Sequence, residues 1–169
     1  ATDHDAIHPG IWFAVGDLNG ADFWRNKATV EHVRFVNEPR GGSDAGEFTV
    51  LNRYVHEGTP LAEETARWRF LIREQGVLIL YESEFRPAGE EFYFGDQEEI
   101  GFAIRLATPL AANNGGWMRD SLGRRNEKGI WGKTADWVAY GGRIGDETIG
   151  VLLMPSPSNF RPCWFPAPD

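Results

Sequence analysis

From residue 64 to residue 85 the chain alternates in a way that leaves little room for anything but paired strands. Ala66, Trp68, Phe70 and Ile72 share one side of a two-residue period, while Arg67, Arg69, Leu71 and Arg73 share the other. That is the pattern of a strand with one buried and one wetted face. The arginines on this second face read as a solvated surface. After a turn at Gln75-Gly76, the segment Val77 to Phe85 is rich in β-formers and is expected to pair back as a hairpin. Residues 47–55, 91–94, 100–107, 136–141 and 147–154 read as further strands, with Gly145-Asp146 as the turn joining the last two. Residues 60–66 have some helical flavour, but the segment is short and flanked by strands, so it reads as the start of one.

The 20 glycines and 10 prolines punctuate these short segments, and no helical stretches separate them. An all-β fold is expected: an antiparallel β-sandwich, jelly-roll-like, forming one domain over residues 1–169. Residues 41–46 read as a loop and 111–129 as a long irregular one. The proline-rich end from Pro155 onward cannot supply a central strand.

Composition narrows the function classes. A net charge of -8 argues against nucleic acid and against an anionic membrane surface, both of which recruit clustered Lys and Arg. No run of 18 apolar residues is present, so no helical span is expected. No signal-peptide pattern is visible, which points to the cytoplasm unless the chain is a mature secreted form. Cys163 is the only cysteine, so no internal disulfide or thiolate metal cluster can form, and it reads as a packed or half-exposed thiol. There is no Gly-x-Ser-x-Gly elbow. Neither Gly41-Gly42 nor Gly115-Gly116 has the strand-to-helix setting of a phosphate cradle.

Candidate chemistry concentrates in three segments. Residues 3–24 hold His4 and His8, the carboxylates Asp3, Asp5, Asp17 and Asp22, and the indoles of Trp12 and Trp24. His4 and His8 suit an acid/base pair or, as a lesser alternative, two of three ligands to a divalent metal. Equally, one of them holds the loop through backbone hydrogen bonds. Trp12, Asp17 and Asn19 are candidate contacts to a polyol. In the second segment, Glu99 and Arg105 fall on one face of a strand, either as a substrate clamp or as an internal ion pair. In the third, Glu127 and Lys133 flank Trp131, whose neighbour Gly132 leaves a flat face free for a sugar, unless that indole plugs the core. The chain has 7 tryptophans, more than a core of this size needs. Some of Trp12, Trp24, Trp117, Trp131, Trp137 and Trp164 are expected to line a cleft.

Ordered blocks along the chain carry a resemblance. They are Asp3-His4 with His8-Pro9-Gly10-Ile11-Trp12, Gly16-Asp17-Leu18-Asn19-Gly20-Ala21-Asp22-Phe23-Trp24, and Phe94-Gly95-Asp96-Gln97-Glu98-Glu99 running into Gly101-Phe102-Ala103-Ile104-Arg105. Further on come Asn126-Glu127-Lys128, Trp131-Gly132-Lys133, Asp136-Trp137-Val138 with Tyr140, and Pro157-Ser158-Asn159-Phe160 before Trp164. Through them the chain resembles a bacterial β-sandwich family labelled methane-oxygenase PmoA-like, a domain of unknown function. The label does not imply methane oxidation, which belongs to a helical membrane enzyme. The resemblance implies a carbohydrate-linked sandwich, since members accompany sugar oxidoreductases and enzymes acting on oxidised glycosides. Members also carry strands ahead of the histidine motif and a His-containing tail after the final Trp, so this chain is expected to be part of a larger sandwich.

Together these readings predict a pocket walled by residues 3–24, 99–105 and 126–133 that takes a small polar ligand, carbohydrate in class, with no cofactor. As a lyase, epimerase or hydrolase, the protein would use His8 as base with His4 beside it. Glu99 or Glu127 would be the acid, and Arg105 or Lys133 the electrostatic stabiliser. The alternative is a non-catalytic sugar-binding or accessory subunit that completes a partner's sheet in a homo- or hetero-oligomer.

Overall fold

The structure, a computed structural model, describes residues 8, 10–97, 100–159, 163–164 and 166. It is all-β, 58% strand and 7% helix, built from several antiparallel sheets that do not close into barrels, as in a sandwich-like fold. Two compact units divide the chain, Ala1–Ala103 and Ile104–Asp169.

The first unit is dominated by a four-stranded antiparallel sheet in the order β2 (Thr29–Gly41), β3 (Ala45–His56), β4 (Thr59–Arg73), β5 (Gly76–Pro87). Every neighbour in this sheet is a sequence neighbour, so short turns set the register. The β4–β5 hairpin pairs Ala62 with Pro87 through to Arg73 with Gly76 without a slip. The alternation expected over residues 64–73 is observed. Glu64, Ala66 and Trp68 turn towards the aromatic interior, whereas Arg67 meets Glu47 and Arg69 meets Glu82 on the wetted face. Residues 60–66 lie inside β4, as expected.

A second layer, the pair β1 (Ile11–Val15) and β6 (Ile100–Ile104), covers this sheet. Phe13 of β1 packs on Tyr81 and Phe85 with ring centroids 5.9 and 5.8 Å apart. Phe102 of β6 sits 5.1 Å from Tyr81. Val15, Leu18, Ala21, Phe23, Tyr54 and Ala62 form the core between the layers.

Two sequence expectations need correction in this unit. Residues 91–94 do not form a strand, because their backbone is bonded to the 17–19 turn instead. The Asn19 N–H donates to the Tyr93 carbonyl, and the Gly95 N–H to the Asp17 carbonyl. The strand expected over 100–107 ends at Ile104, because a 3-10 turn begins at Thr108 with Pro109 inside it.

The second unit holds the antiparallel sheet β10 (Glu147–Leu153), β9 (Val138–Ile144), β7 (Trp117–Asp120). Ile144 pairs with Glu147 across the expected Gly145-Asp146 turn, with Gly145 at φ 62° as such a tight turn requires. A short pair joins β8 (Lys133–Thr134) to β11 (Cys163–Trp164). Residues 111–129 are not one irregular loop. They contain a 3-10 turn at Ala112–Asn114, the strand β7 and most of the helix α1 (Asn126–Ile130). Met118, Ile130 and Val138 make this unit's core, with Tyr140 and Trp164 packed against it.

Candidate functional site

Sequence reasoning pointed first to the opening segment. His4 and Glu99 lie outside the described residues, but His8, Trp12 and Trp24 come together. The His8 ring meets both indoles edge-on, at centroid distances of 5.1 Å to Trp12 and 4.9 Å to Trp24. The indoles themselves stack 5.4 Å apart at 25°. Alternation along β1 explains the placement of Trp12: Phe13 and Val15 face the core, so Trp12 faces away from it. Trp24 is only 9% exposed, so much of the flat surface this pair could offer a ligand is spent on packing.

Asp17 and Asn19 do local structural work. The Asp17 carboxylate accepts from the Gly20 N–H at 2.7 Å, and it lies so close to Gly95 that any Cβ there would overlap it. Asn19, at φ 52°, accepts from the Tyr93 N–H at 2.9 Å. Asp22 closes the same loop by accepting from the N–H groups of Trp24 and Arg25. Burial would raise the Asp22 carboxyl, but the Arg25 N–H and guanidinium, with Lys27, outweigh it and hold the pKa below the usual carboxylate range.

The remaining predicted residues belong to the second unit. Arg105 is exposed and follows β6. Glu127 sits in the first turn of α1, where its carbonyl accepts from the Trp131 N–H. Trp131 is 42% exposed, and Lys133 donates to the Gly129 carbonyl at 2.8 Å.

An open cavity of about 340 Å³ also lies in this unit, lined by Trp117, Met118, Arg119, Arg125 and Asn126. Its construction starts from alternation along β7. Met118 and Asp120 are 1% and 0% exposed, whereas Trp117 is 44% exposed, and Arg119 points the same way as Trp117. Trp117 pairs with Gly141 of β9, and its indole lies over that glycine where a Cβ would strike the ring. One indole face is thus backed by main chain and the other is open to solvent.

Asp120 then turns the chain. Its carboxylate accepts from the Leu122 and Arg124 N–H groups at 3.0 and 2.9 Å and from Arg124 Nε at 2.5 Å. Burial alone would raise the Asp120 carboxyl, but the Arg124 side chain and these N–H groups outweigh it and pull the pKa down. The turn brings Arg125 back alongside Arg119 as an antiparallel bridge. Asn126 follows at φ 57°, a left-handed conformation that Asn tolerates better than most residues.

The cavity therefore offers an indole face, two guanidinium groups and a carboxamide. Its described lining includes no carboxylate, imidazole or thiol. Among the described residues no group of three His, Cys, Asp or Glu converges as a metal site would require, and no helix is long and apolar enough to cross a membrane. In the sequence Trp117 is one of six tryptophans of which some are expected to line a cleft, and Arg119 and Arg125 carry no such signal. The available signal was Asp120 three residues before Gly123, a common turn signature that folds the second arginine back beside the first.

No curated protein and no solved structure matches the chain. Residues 2–167 match the family described as Family of unknown function (DUF6807), a description that carries neither a methane-oxygenase label nor a reaction. On a match spanning nearly its full length, this chain is a member of that family.

Proposed function

We propose that this protein binds a carbohydrate, with a sugar ring laid on the open face of Trp117. The exposed indole in a cavity that also presents Arg119, Arg125 and Asn126 is the observation that carries the reading. The C–H groups on one side of a pyranose carry slight positive charge and suit the negative face of an aromatic ring. Its hydroxyls accept from guanidinium and amide donors at the rim. About 340 Å³ is near the lower end of the roughly 300–1,000 Å³ typical of small-molecule sites, which suits one or two sugar rings. The carbohydrate link implied by the resemblance to PmoA-like domains agrees with this reading, and the described lining offers donors and an aromatic face, which suit recognition. Replacing the indole tests it. Trp117→Ala should weaken an oligosaccharide by about tenfold or more in calorimetry, since a stacked aromatic contact is worth roughly 1–3 kcal/mol. Unchanged affinity in that variant would contradict the proposal.

A second reading has one observation behind it, the imidazole of His8 held against Trp12 and Trp24. In that reading His8 is the base of a lyase, epimerase or hydrolase. His8→Ala would then abolish turnover of a glycoside while leaving its binding intact.

A further inference from the structure

Granted that the cavity takes a sugar, we infer that the sugar is acidic, its carboxylate held between Arg119 and Arg125. Seven of the thirteen described arginines sit against a carboxylate: Arg25 meets Asp22, Arg53 meets Glu63, Arg69 meets Glu82, Arg86 meets Glu84, and Arg124 meets Asp120. Arg40 and Arg67 share Glu47. Among the described residues, neither Arg119 nor Arg125 has an ion pair or a side-chain hydrogen bond.

The fold nevertheless sets these two guanidinium-bearing residues opposite one another in a β-bridge. Like charges directly across a strand pair destabilise it. The chain has carboxylates to spare, with 25 Asp and Glu against 17 Lys and Arg, and it places none of the described ones here. An anion between the two groups would remove the repulsion. A planar carboxylate suits the planar guanidinium fork, each oxygen taking N–H donors from one arginine. Because Trp117 lines the same cavity, the anion and the stacked ring belong to one ligand, a uronate-type sugar.

The test uses matched pairs of glucuronate and galacturonate oligosaccharides, each beside its methyl ester, titrated calorimetrically into the full chain. In a given pair only the charge of the carboxyl group differs. The acid should bind about tenfold more tightly than the ester, the combined worth of two charge-assisted contacts at an exposed site. Arg119→Gln and Arg125→Gln should each lower acid affinity by a larger factor than ester affinity, so eroding that preference, and added salt should narrow it. Equal binding of acid and ester would overturn the acidic-ligand inference yet leave the sugar site standing. Binding of neither would sink the sugar site itself. If inorganic sulfate displaces the acid and Trp117→Ala has no effect on acid binding, the two arginines form a simple anion site and the inference fails.

Discussion

Glu64 is a carboxylate placed where its surroundings are largely aromatic. It is 3% exposed, and four donors converge on it. Tyr81 and Ser83 reach Oε1 at 2.5 and 2.6 Å, while Asn52 and Tyr54 reach Oε2 at 3.1 and 3.3 Å. A buried group with this many partners is stable only while all of them are present. Glu64→Ala should therefore cost about 2–4 kcal/mol, because it strands several donors, visible as a lower denaturant midpoint at unchanged slope. A loss below about 1 kcal/mol, the size of an average substitution, would show the network to be dispensable. The same cluster sets an alkaline limit. Burial first, and then the neighbouring Glu64 carboxylate, push the Tyr54 and Tyr81 hydroxyls above the ordinary tyrosine range. A raised folded-state pKa gives stability that is complete below the unfolded value of about 10 and is lost as pH climbs beyond it. Unfolding free energy should thus fall above about pH 10, and Tyr54→Phe should make the fall shallower. The alternation of Ala66 and Trp68 already turns Glu64 inward when read from the sequence. Its four donors are not legible there, since they come from the two flanking strands, β3 and β5, whose register only pairing reveals.

Among the strands, legibility followed regularity. β4 is readable from its two-residue period, and β3 and β5 from their richness in β-formers, with the Gln75-Gly76 turn marking where β5 starts; the β4–β5 ladder runs without a slip. β2, at 13 residues, went unread: its pairing with β3 shifts register three times, between His32 and Arg34, Phe35 and Asn37, and Asn37 and Arg40. Each irregularity moves apolar residues to the other face and breaks the alternation. Such bulges also make a poor template for edge-to-edge pairing, which suits an edge strand exposed along its whole length. β7 went unread for a different reason. Four residues carry too little pattern, and its importance comes from Gly141 opposite Trp117. Gly141→Ala should tilt the indole off its seat and weaken sugar binding severalfold while leaving the β9–β10 hairpin formed. Calorimetry with circular dichroism checks both parts, and unaltered affinity would show that the glycine does not position the ring.

For the molecule as a whole, composition was a good guide to class. An all-β fold followed from glycine and proline punctuation and from the lack of helical segments. The functional candidates were drawn to the conspicuous histidines and carboxylates of the opening segment, and the described part of that segment spends Asp17, Asn19 and Asp22 on its own turns. The second unit's cavity depends on a turn that brings Arg125 beside Arg119, a proximity that spacing along the chain does not display. The most direct test of the cavity's role is a two-dimensional NMR titration of the full chain with an oligogalacturonate, following the indole and guanidinium N–H signals. The Trp117 indole together with Arg119 and Arg125 should move in a saturable way while Trp12 and Trp24 stay still. Movement confined to Trp12, Trp24 and His8, or no movement at all, would contradict it.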